Sequence, residues 1–307
     1  MITVFGSINL DLVVPVPRLP KAGETVSGPD HKMFPGGKGS NQAYAACLAG
    51  GNVRMVGAVG DDAFADLALE NLTTAGVDTS GVRRLRGTTG LAFIGVDASG
   101  ENQIIAANGA NALVDVAWLD GFLEAGVWLV AQGEVPLEHV AQAFPVARER
   151  GAKVLWNPAP VPDQRYASLI HDVDVLIVNE GEAAHLANAL NLPKDPEAFL
   201  AALSHPDRLH VVTLGGQGVI ARQGQQVYRL PAPKTGVVDT TGAGDAFCGS
   251  MAAALADGAD TGRSLARAVA AGSLACRAVG AQSSAPRKTE IIELAESIYP
   301  DLQVGRC

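Results

Sequence analysis

Cysteine is scarce in this sequence, and clusters of positive charge are missing. The 307 residues contain four cysteines, Cys47, Cys248, Cys276 and Cys307, and no C-x-x-C pair. That pattern argues against zinc modules and disulfide scaffolds, and it favours free thiols in a reducing compartment. The chain has 23 basic and 32 acidic residues, a net charge of -9, and no run of Lys or Arg. We therefore expect neither nucleic acid nor an anionic membrane as a partner.

Long apolar runs are also missing. The first residues, Met1–Gly6, contain no basic segment ahead of an apolar stretch, so no signal peptide is predicted. Charged residues or glycines interrupt every apolar run before it reaches a membrane-spanning length. We expect a cytoplasmic protein. Its acidic balance still permits a phosphorylated ligand, because backbone amides can hold phosphate inside an acidic protein.

Hydrophobic residues are abundant, at 48% of the chain, and charged residues make up only 18%. Such a chain can bury a large core. Strand and helix patterns alternate over 127–214, which predicts an α/β fold with a mostly parallel sheet and helices on both faces.

Several early segments do not fit this alternation. We interpret Leu12–Val16, Thr25–Phe34 and a hairpin at Leu91–Ala107 as a small β lid. Prolines at 15, 17 and 20 would confine the first of these segments to an edge or lid position. The prediction is one domain, 1–307, with lid segments at about 11–35 and 89–108.

The strongest local motif runs from Val238 to Phe247, where a β-branched stretch enters a small-residue loop and then a helix. Gly242, Ala243 and Gly244 leave backbone N–H groups bare at that helix N-terminus, which is a typical anion site. Asp245 would repel a phosphate there unless it takes a proton from an attacking hydroxyl. The alternative is that Asp245 only caps the helix.

Polar residues also follow other predicted strands. Asn9 and Asp11 come after the first strand, and Glu134 and Asn157 follow two later ones. In parallel sheets, ligands bind beyond the carboxyl ends of the strands. These side chains suit sugar hydroxyls, although turn chemistry explains an isolated Asn or Asp equally well.

A second glycine loop, Gly36–Asn41, opens a helix. It is not a Walker A loop, because Lys38 is followed by Gly39 and not by Ser or Thr. Its glycines would admit close approach to a polar ligand, and Asn41 offers both a donor and an acceptor. An ordinary tight turn is the alternative.

Two further strand ends carry candidate groups for a nucleotide. Asn179 and Glu182 could orient Mg²⁺ and its waters, or could form a helix cap. Thr213–Gly218 could pass close to a nucleotide, or could be a tight β-turn.

Taken together, these motifs resemble those of the ribokinases within the PfkB-type carbohydrate kinases. The resemblance runs from the Val4–Asp11 segment to Gly280–Ser284, and the block Asp239–Phe247 is its most specific part. Gly23-Glu24-Thr25 and Gly109-Ala110-Asn111 add to it. Ser283 departs from it, since a well-known ribokinase has Pro there, and Cys276–Val279 is not a close match. The resemblance implies a ribokinase-like fold with a β-sheet lid.

The resemblance also implies roles for individual residues. Asp245 would be the catalytic base, with Gly242, Ala243 and Gly244 as the anion hole. The sugar would be held by Asn9, Asp11, Gly37, Lys38, Asn41 and Glu134. The nucleotide would be held by Asn179, Thr213, Gly215, Gly218, Gly242 and Gly244. Glu182 would act indirectly on Mg²⁺, and a K⁺ site would comprise Asp239, Thr241, Ala275, Ala278, Gly280 and Ser284.

The implied activity is ATP-dependent phosphorylation of ribose at O5, with Mg²⁺ and an activating monovalent cation, usually K⁺. A fructose or nucleoside kinase of the same family is the nearest alternative, and a non-catalytic sugar-binding regulatory protein is the alternative of another class. A dehydrogenase is disfavoured because no G-x-G-x-x-G follows the first strand. By resemblance, and from the β-type segments Leu12–Val16 and Leu91–Val96, we expect a homodimer formed through the lid.

Overall fold

The computed structural model describes residues 1–306, which form two β-sheets and eight α-helices. Cys307 lies outside the described residues. The strands are β1 (Ile2–Phe5), β2 (Asn9–Pro15), β3 (Lys32–Gly36), β4 (Val53–Gly60), β5 (Asp78–Leu85), β6 (Gly90–Val96), β7 (Asn102–Ala107), β8 (Trp128–Ala131), β9 (Lys153–Trp156), β10 (Val175–Asn179), β11 (Leu209–Thr213), β12 (Val219–Gln223), β13 (Gln226–Leu230) and β14 (Gln303–Arg306). The helices are α1 (Lys38–Leu48), α2 (Ala65–Ala75), α3 (Leu137–Glu149), α4 (Glu180–Leu190), α5 (Pro196–Ala202), α6 (Ala243–Ala256), α7 (Thr261–Ala275) and α8 (Lys288–Ile298).

The large sheet has ten strands in the order β14-β13-β12-β11-β10-β9-β8-β1-β4-β5. Pairing is parallel from β5 through β11 and antiparallel from β11 to β14. The central strands β1 and β8 are buried along their whole length, as continuous apolar strands of a parallel sheet are expected to be. The predicted α/β class with a mostly parallel sheet is confirmed.

Alternate residues of these strands face two separate cores. One core packs the sheet against α1, α2, α6, α7 and α8, and the other packs it against α3, α4 and α5. Helices α1 and α6 come unusually close, because a Cβ added at Gly249 would lie 2.7 Å from the backbone of Gln42 and Ala46. Small residues on α6 therefore bring the start of α1 next to the start of α6.

The order in which the chain adds strands to the large sheet reverses between the neighbouring parallel strands β1 and β8. From β1 the chain proceeds through β4 to β5, and from β8 it proceeds the other way to β11. A crevice opens at such a reversal, beyond the carboxyl ends of the two strands. Ser7 and Glu134 follow these two strands, and the Ser7 hydroxyl donates to Glu134 Oε2 at 2.6 Å across the gap.

The smaller sheet is formed by the predicted lid segments, in the order β3-β2-β6-β7. The β6–β7 pair is antiparallel, as the hairpin prediction required. Of the two positions predicted for the proline-bearing 12–16 segment, an edge or the lid, β2 occupies the second: it lies in this smaller sheet and pairs on both sides, so it is not an edge strand. Pro15 is tolerated because it is the last residue of β2, beyond Val13 where pairing with β3 stops.

Other predictions of secondary structure also need correction. The 25–34 segment contributes only β3, and Gly28 and Pro29 lie in its irregular part. Two strands that were not predicted, β5 and β14, occupy the two edges of the large sheet. No helix within residues 1–306 is long and apolar enough to cross a bilayer.

One histidine is buried in the large sheet. His210 on β11 is 2% exposed, and neither ring nitrogen has a hydrogen-bond partner within residues 1–306. Burial, together with the nearby positive charge of Arg208, lowers the pKa of His210 to about 4. The ring is therefore neutral in the folded protein at physiological pH.

Candidate active site

Two adjoining cavities lie beyond the carboxyl ends of the strands, over the N-terminus of α6. The first has a volume of about 230 Å³, and the residues lining it include Lys38, Asn157, Asn179, Glu182, Thr213, Thr240, Gly242, Gly244, Asp245 and Cys248. The second has about 340 Å³ and shares Asn179, Thr213, Thr240 and Gly244 with the first. A wider groove between α2 and β5 contains none of the predicted site residues.

The carboxylate of Asp245 is held by two side-chain amides from α1. Asn41 Nδ2 donates to Asp245 Oδ2, and Gln42 Nε2 donates to Asp245 Oδ1, both at 3.0 Å. Asp245 is 7% exposed, and the first turn of α6 has no side-chain cap. The alternative that Asp245 merely caps its helix is therefore not what the structure shows.

Gln42 is in turn fixed by residues after β8 and β9. Its Nε2 also donates to Asn157 Oδ1 at 3.1 Å, and its Oε1 accepts from Gln132 Nε2 at 3.0 Å. Asn157 Nδ2 donates to the carbonyl of Ile177 on β10. A buried network of amides thus connects Asp245 to three neighbouring strand ends.

The first turn of α6 presents backbone donors to the smaller cavity. Gly242 precedes the helix with φ of 77°, and a Cβ there would lie 2.5 Å from Ala281 Cα, so no other residue fits. The N–H of Ala243 donates to Thr240 O at 3.2 Å. The open first-turn donors belong to Gly244 and Asp245, and the anion hole of Gly242, Ala243 and Gly244 stays a prediction.

Asp11 on β2 lies at the lid side of the site. Burial raises the pKa of Asp11 to about 7, and the charges of Glu134 and Asp245 add to the shift. Gly36 packs directly on this carboxyl, since a Cβ at Gly36 would come within 2.3 Å of Asp11 Oδ2. Asp11, Glu134 and Asp245 therefore form one electrostatically connected group.

Asn9 and the segment before it are fixed by Asn111. The side chain of Asn111 accepts from Ile8 N at 2.9 Å and donates to Ile8 O and to Asn9 Oδ1, the last at 2.7 Å. Asn111 is 1% exposed. It anchors the junction between β1 and β2, where the chain passes from the large sheet into the lid.

Glu134 and the glycine loop meet at the same junction. Glu134 Oε2 accepts from Lys38 N at 2.8 Å as well as from Ser7. A Cβ at Gly37, where φ is 87°, would lie 2.8 Å from Asn9 N, and one at Gly39 would lie 2.6 Å from Ser7 N. These two glycines thus allow the loop to pack against the backbone of Ser7 and Asn9. The sequence had suggested that they leave room for a polar ligand.

The side chain of Lys38 reaches the smaller cavity together with Glu182 and Asp245. Burial alone would lower the pKa of Lys38, but the carboxylates Asp245, Glu134 and Glu182 raise it. The ammonium group is therefore charged. This position lies beside the first turn of α6, so Lys38 faces the anion site as well as the predicted sugar residues.

Asn179 and Glu182 form a capping box at the start of α4. Asn179 Oδ1 accepts from Glu182 N at 2.8 Å, and Glu182 Oε2 accepts from Asn179 N at 2.9 Å. Burial raises the pKa of Glu182, while the Asn179 N–H and Lys38 oppose the shift. Both residues line the smaller cavity, so capping and ligand binding are compatible here.

The larger cavity is mostly apolar. Thr213, Gly215 and Gly218 line one wall, and Val237 and Phe247 line others. The three predicted nucleotide residues of the 213–218 segment therefore lie together beside the α6 N-terminus. An apolar slot next to an anion site is suited to a planar base that carries phosphates.

Two of the predicted cation residues, Thr241 and Gly280, donate to the carboxylate of Asp239. Asp239 Oδ1 accepts from Thr241 N and Oγ1, and Oδ2 accepts from Gly280 N at 2.9 Å. Burial opposes ionisation, but these donors keep the pKa of Asp239 below its usual value. Ser284 Oγ is buried and has no hydrogen-bond partner within residues 1–306. A carboxylate and an unpartnered hydroxyl suit a cation bound otherwise by backbone carbonyls, such as those of Ala275 and Ala278.

Burial keeps the cysteine thiols near the site in their protonated, less reactive form. Cys248 lines the smaller cavity, and burial raises its pKa well above the usual value. Cys47, Cys248 and Cys276 are all free, and no group of three or more His, Cys, Asp or Glu within residues 1–306 could hold a metal ion. The thiols therefore add no nucleophile to the carboxylate of Asp245, the amides around it and the open helix N-terminus.

Three residues of this site, Gln42, Gln132 and Asn111, were not predicted from the sequence. Gln42 directly follows the candidate Asn41, and Gln132 precedes Glu134 by two residues. Proximity to those candidates is the signal that could have indicated them.

Comparison with known proteins points to the same chemistry. Residues 1–288 match the profile of the family described as pfkB family carbohydrate kinase. Over 294 residues the chain is 39% identical to the ribokinase of Lactococcus lactis, covering 94% of this chain and 95% of that protein. It is 35% identical to the deoxyribokinase of Salmonella typhi over 294 residues, covering 93% and 95%.

Solved structures give the same result for the fold. A ribokinase from Thermotoga maritima superposes with a TM-score of 0.85 at 32% identity, covering 96% of this chain and 99% of that one. A ribokinase from Arabidopsis thaliana complexed with ribose and ATP has a TM-score of 0.84 at 29% identity, covering 96% and 98%. The predicted ribokinase-like architecture is confirmed.

Proposed function

Because this chain belongs to the pfkB family of carbohydrate kinases, we propose that it transfers the γ-phosphoryl group of ATP to O5 of D-ribose, giving ribose 5-phosphate and ADP. It is a phosphotransferase with an alcohol group as acceptor. The observation that carries the proposal is the carboxylate of Asp245, held by Asn41 and Gln42 beside the open first turn of α6.

In this proposal Asp245 is the general base. It accepts the proton of the sugar hydroxyl, whose oxygen then forms a bond to the γ-phosphorus while the bond to the ADP oxygen breaks. The N–H groups of Gly244 and Asp245, with Gly242 shaping the turn, face the charge on the transferring group. The charged side chain of Lys38 supports the same end of the site.

The sugar is assigned to the lid side, against Asp11, Asn9, Gly37, Asn41 and Glu134. Asp11 accepts hydroxyl hydrogens when ionised, Asn41 Nδ2 carries a second N–H beside the one given to Asp245, and Asn9 uses only its Oδ1 in the contact with Asn111. Asn111 and Gly36 shape this subsite without needing to touch the ligand. The nucleotide is assigned to the larger cavity, against Asn179, Thr213, Gly215 and Gly218.

Two metal ions complete the proposal. Mg²⁺ bound to the phosphates would neutralise charge on them, and Glu182 would act on it indirectly, since the described residues offer no dedicated metal cage. A monovalent cation, for which K⁺ is proposed, would be held by Asp239, Thr241, Ala275, Ala278, Gly280 and Ser284. The unpartnered Ser284 hydroxyl and the ionised Asp239 support that assignment.

We further propose a homodimer formed through the lid. Leu12, Met33, Phe93 and Ile105 occupy one row across the four lid strands. Met33, Phe93 and Ile105 are 45%, 46% and 67% exposed. A row of large apolar side chains on a small sheet is stabilised when a second copy covers it.

The remaining parts of the proposal concern organisation and compartment. Residues 1–307 are proposed to act as one kinase domain, with the lid inserted through the 9–36 and 90–107 segments. The free thiols of Cys47, Cys248 and Cys276 and the use of ATP favour the cytoplasm.

The test is ATP-dependent ADP release with Mg²⁺, with and without K⁺, against ribose, deoxyribose, fructose, adenosine, inosine and pseudouridine. We expect a clear preference for ribose that K⁺ increases. Asp245→Asn, prepared in the same way, controls for a contaminating kinase. A preference for deoxyribose, fructose or a nucleoside would replace the proposed substrate. Sugar binding without turnover of any of these sugars would favour a non-catalytic protein.

A further inference from the structure

A buried glutamine in the loop after α7 reaches back to the residues that hold the catalytic carboxylate. Gln282 is 3% exposed. Its Nε2 donates to Ser40 Oγ at 2.9 Å and to Asn41 Oδ1 at 3.0 Å. Its Oε1 accepts from Asn71 Nδ2 on α2 at 3.0 Å. Both N–H groups and the oxygen of this amide are therefore used.

The hydrogen bonds of this group can run in only one direction. An ionised Asp245 can only accept, so Asn41 must direct its NH₂ group at Asp245 and its oxygen at Gln282. Gln282 must then direct its NH₂ group at Asn41 and its oxygen at Asn71. Reversal of any one amide would place donor against donor, or acceptor against acceptor, in a buried site.

We propose that Gln282 is a positioning residue for phosphoryl transfer, an inference that rests on the proposed kinase function. Gln282 holds the Asn41 amide with its N–H toward Asp245 and so fixes the orientation of that carboxylate. An asparagine amide can reverse without a change of shape, and the donor from Gln282 penalises the reversed orientation, because it would then meet the Asn41 NH₂ group. Asn71 fixes Gln282 in the same way.

The position of Gln282 also connects the two ends of the active site. Its loop carries Gly280, whose N–H is bound by Asp239 Oδ2 at 2.9 Å, and Ala281, which packs on Gly242 before the first turn of α6. One loop thus contacts both the proposed phosphate site and, through Asn41, the carboxylate that faces the sugar.

The decisive variant is Gln282→Glu, which keeps size and shape. An ionised carboxyl at this position cannot donate to Asn41, so the Asn41 amide turns its oxygen toward Asp245. We expect kcat to fall about 10- to 100-fold at pH 8, the effect of losing one hydrogen bond to a charged group. The KM for ATP should stay within about twofold of the wild-type value, because the nucleotide cavity is unchanged.

The pH profile separates positioning from a general structural effect. When the introduced carboxyl is protonated it regains an O–H donor for Asn41, so kcat relative to wild type should rise as the pH falls. Burial close to Asp245 should raise the pKa of the introduced carboxyl toward neutral pH. Gln282→Met can neither donate to Asn41 nor accept from Asn71. Its kcat relative to wild type should therefore be lowered by a similar factor at every pH. Gln164→Glu, the same change at an exposed position, should match wild type.

Two results would overturn the inference alone. One is a kcat of Gln282→Glu within about twofold of wild type at pH 8. The other is a deficit that stays constant with pH, or one accompanied by a comparable rise in the KM for ATP. If the wild-type protein itself phosphorylates no sugar, the proposed function fails and this inference fails with it.

Discussion

The proposed contact between Asp11 and the sugar predicts that ribose binding depends on pH, and the dependence follows from the surroundings of Asp11. Burial, followed by the charges of Glu134 and Asp245, raises its pKa to about 7. The ionised carboxylate is the form that accepts hydroxyl hydrogens, and it predominates above that pKa. With a pKa of about 7, roughly 90% of Asp11 is ionised at pH 8 and roughly 10% at pH 6. Sugar affinity should therefore fall about tenfold from pH 8 to pH 6, or about 1.4 kcal/mol.

The assay is calorimetric titration of ribose into the protein without nucleotide, repeated between pH 5.5 and pH 8.5. Asp11→Asn should bind ribose more weakly at pH 8 and with little pH dependence, because it cannot ionise. Glu134→Gln should keep the dependence but move its midpoint to lower pH, since the Glu134 charge contributes to the raised pKa of Asp11. The glutamine oxygen can still accept from Ser7 and Lys38 N.

An equal dissociation constant at pH 6 and pH 8 in the wild-type protein would refute this reasoning. So would a pH dependence that persists unchanged in Asp11→Asn, because the titrating group would then lie elsewhere. A midpoint that Glu134→Gln leaves in place would remove Glu134 from the explanation while keeping Asp11 in it.

Asp245→Asn should lower kcat by about 10²- to 10⁴-fold while ribose still binds; Asp257→Asn, at the exposed end of the same helix, should not change kcat, and near-normal turnover of Asp245→Asn would remove it as the base. His210→Leu should reduce the loss of stability at acid pH. The pKa of His210 is about 4 in the folded protein and 6.5 in the unfolded chain, so the free energy of unfolding of the wild type should fall by about 2 kcal/mol from pH 7 to pH 5, as measured by urea unfolding. Parallel pH curves for the two proteins would contradict this. Phe93→Lys in the lid row should shift the mass in light scattering from dimer to monomer, whereas Leu67→Lys, another exposed apolar site, should not; a wild-type monomer would exclude the lid dimer.

The chemistry near Asp245 could be predicted because it is local in sequence. A β-branched stretch, a small-residue loop, a carboxylate and a helix follow one another within one short segment, and α6 begins at Ala243 inside that segment. The turn that the N–H of Ala243 closes with Thr240 O was not predicted. Such a turn bond depends on backbone angles that a list of small residues does not specify.

The partners of Asp245 could not be predicted, because they come from distant parts of the chain. Gln42 meets Asp245 across 203 residues, and Gln282 meets Asn41 across 241. Those contacts depend on how closely α1 packs on α6, which is set by Gly249. The inner position of β2 likewise depends on which strands pair, and β5 was missed because its side chains are mostly polar or exposed, as is typical of an edge.

The position of β1 in the middle of the large sheet has a consequence for folding during translation. Its apolar residues, Ile2–Phe5, pair with β4 on one side and with β8, Trp128–Ala131, on the other. A ribosome adding roughly 5 to 20 residues per second needs about 6 to 25 s to pass from β1 to β8. Throughout that interval one edge of the nascent strand is open, which exposes it to wrong pairing and to chaperones. Slower translation ahead of β8 should therefore reduce the yield of folded protein more than the same delay placed after β11.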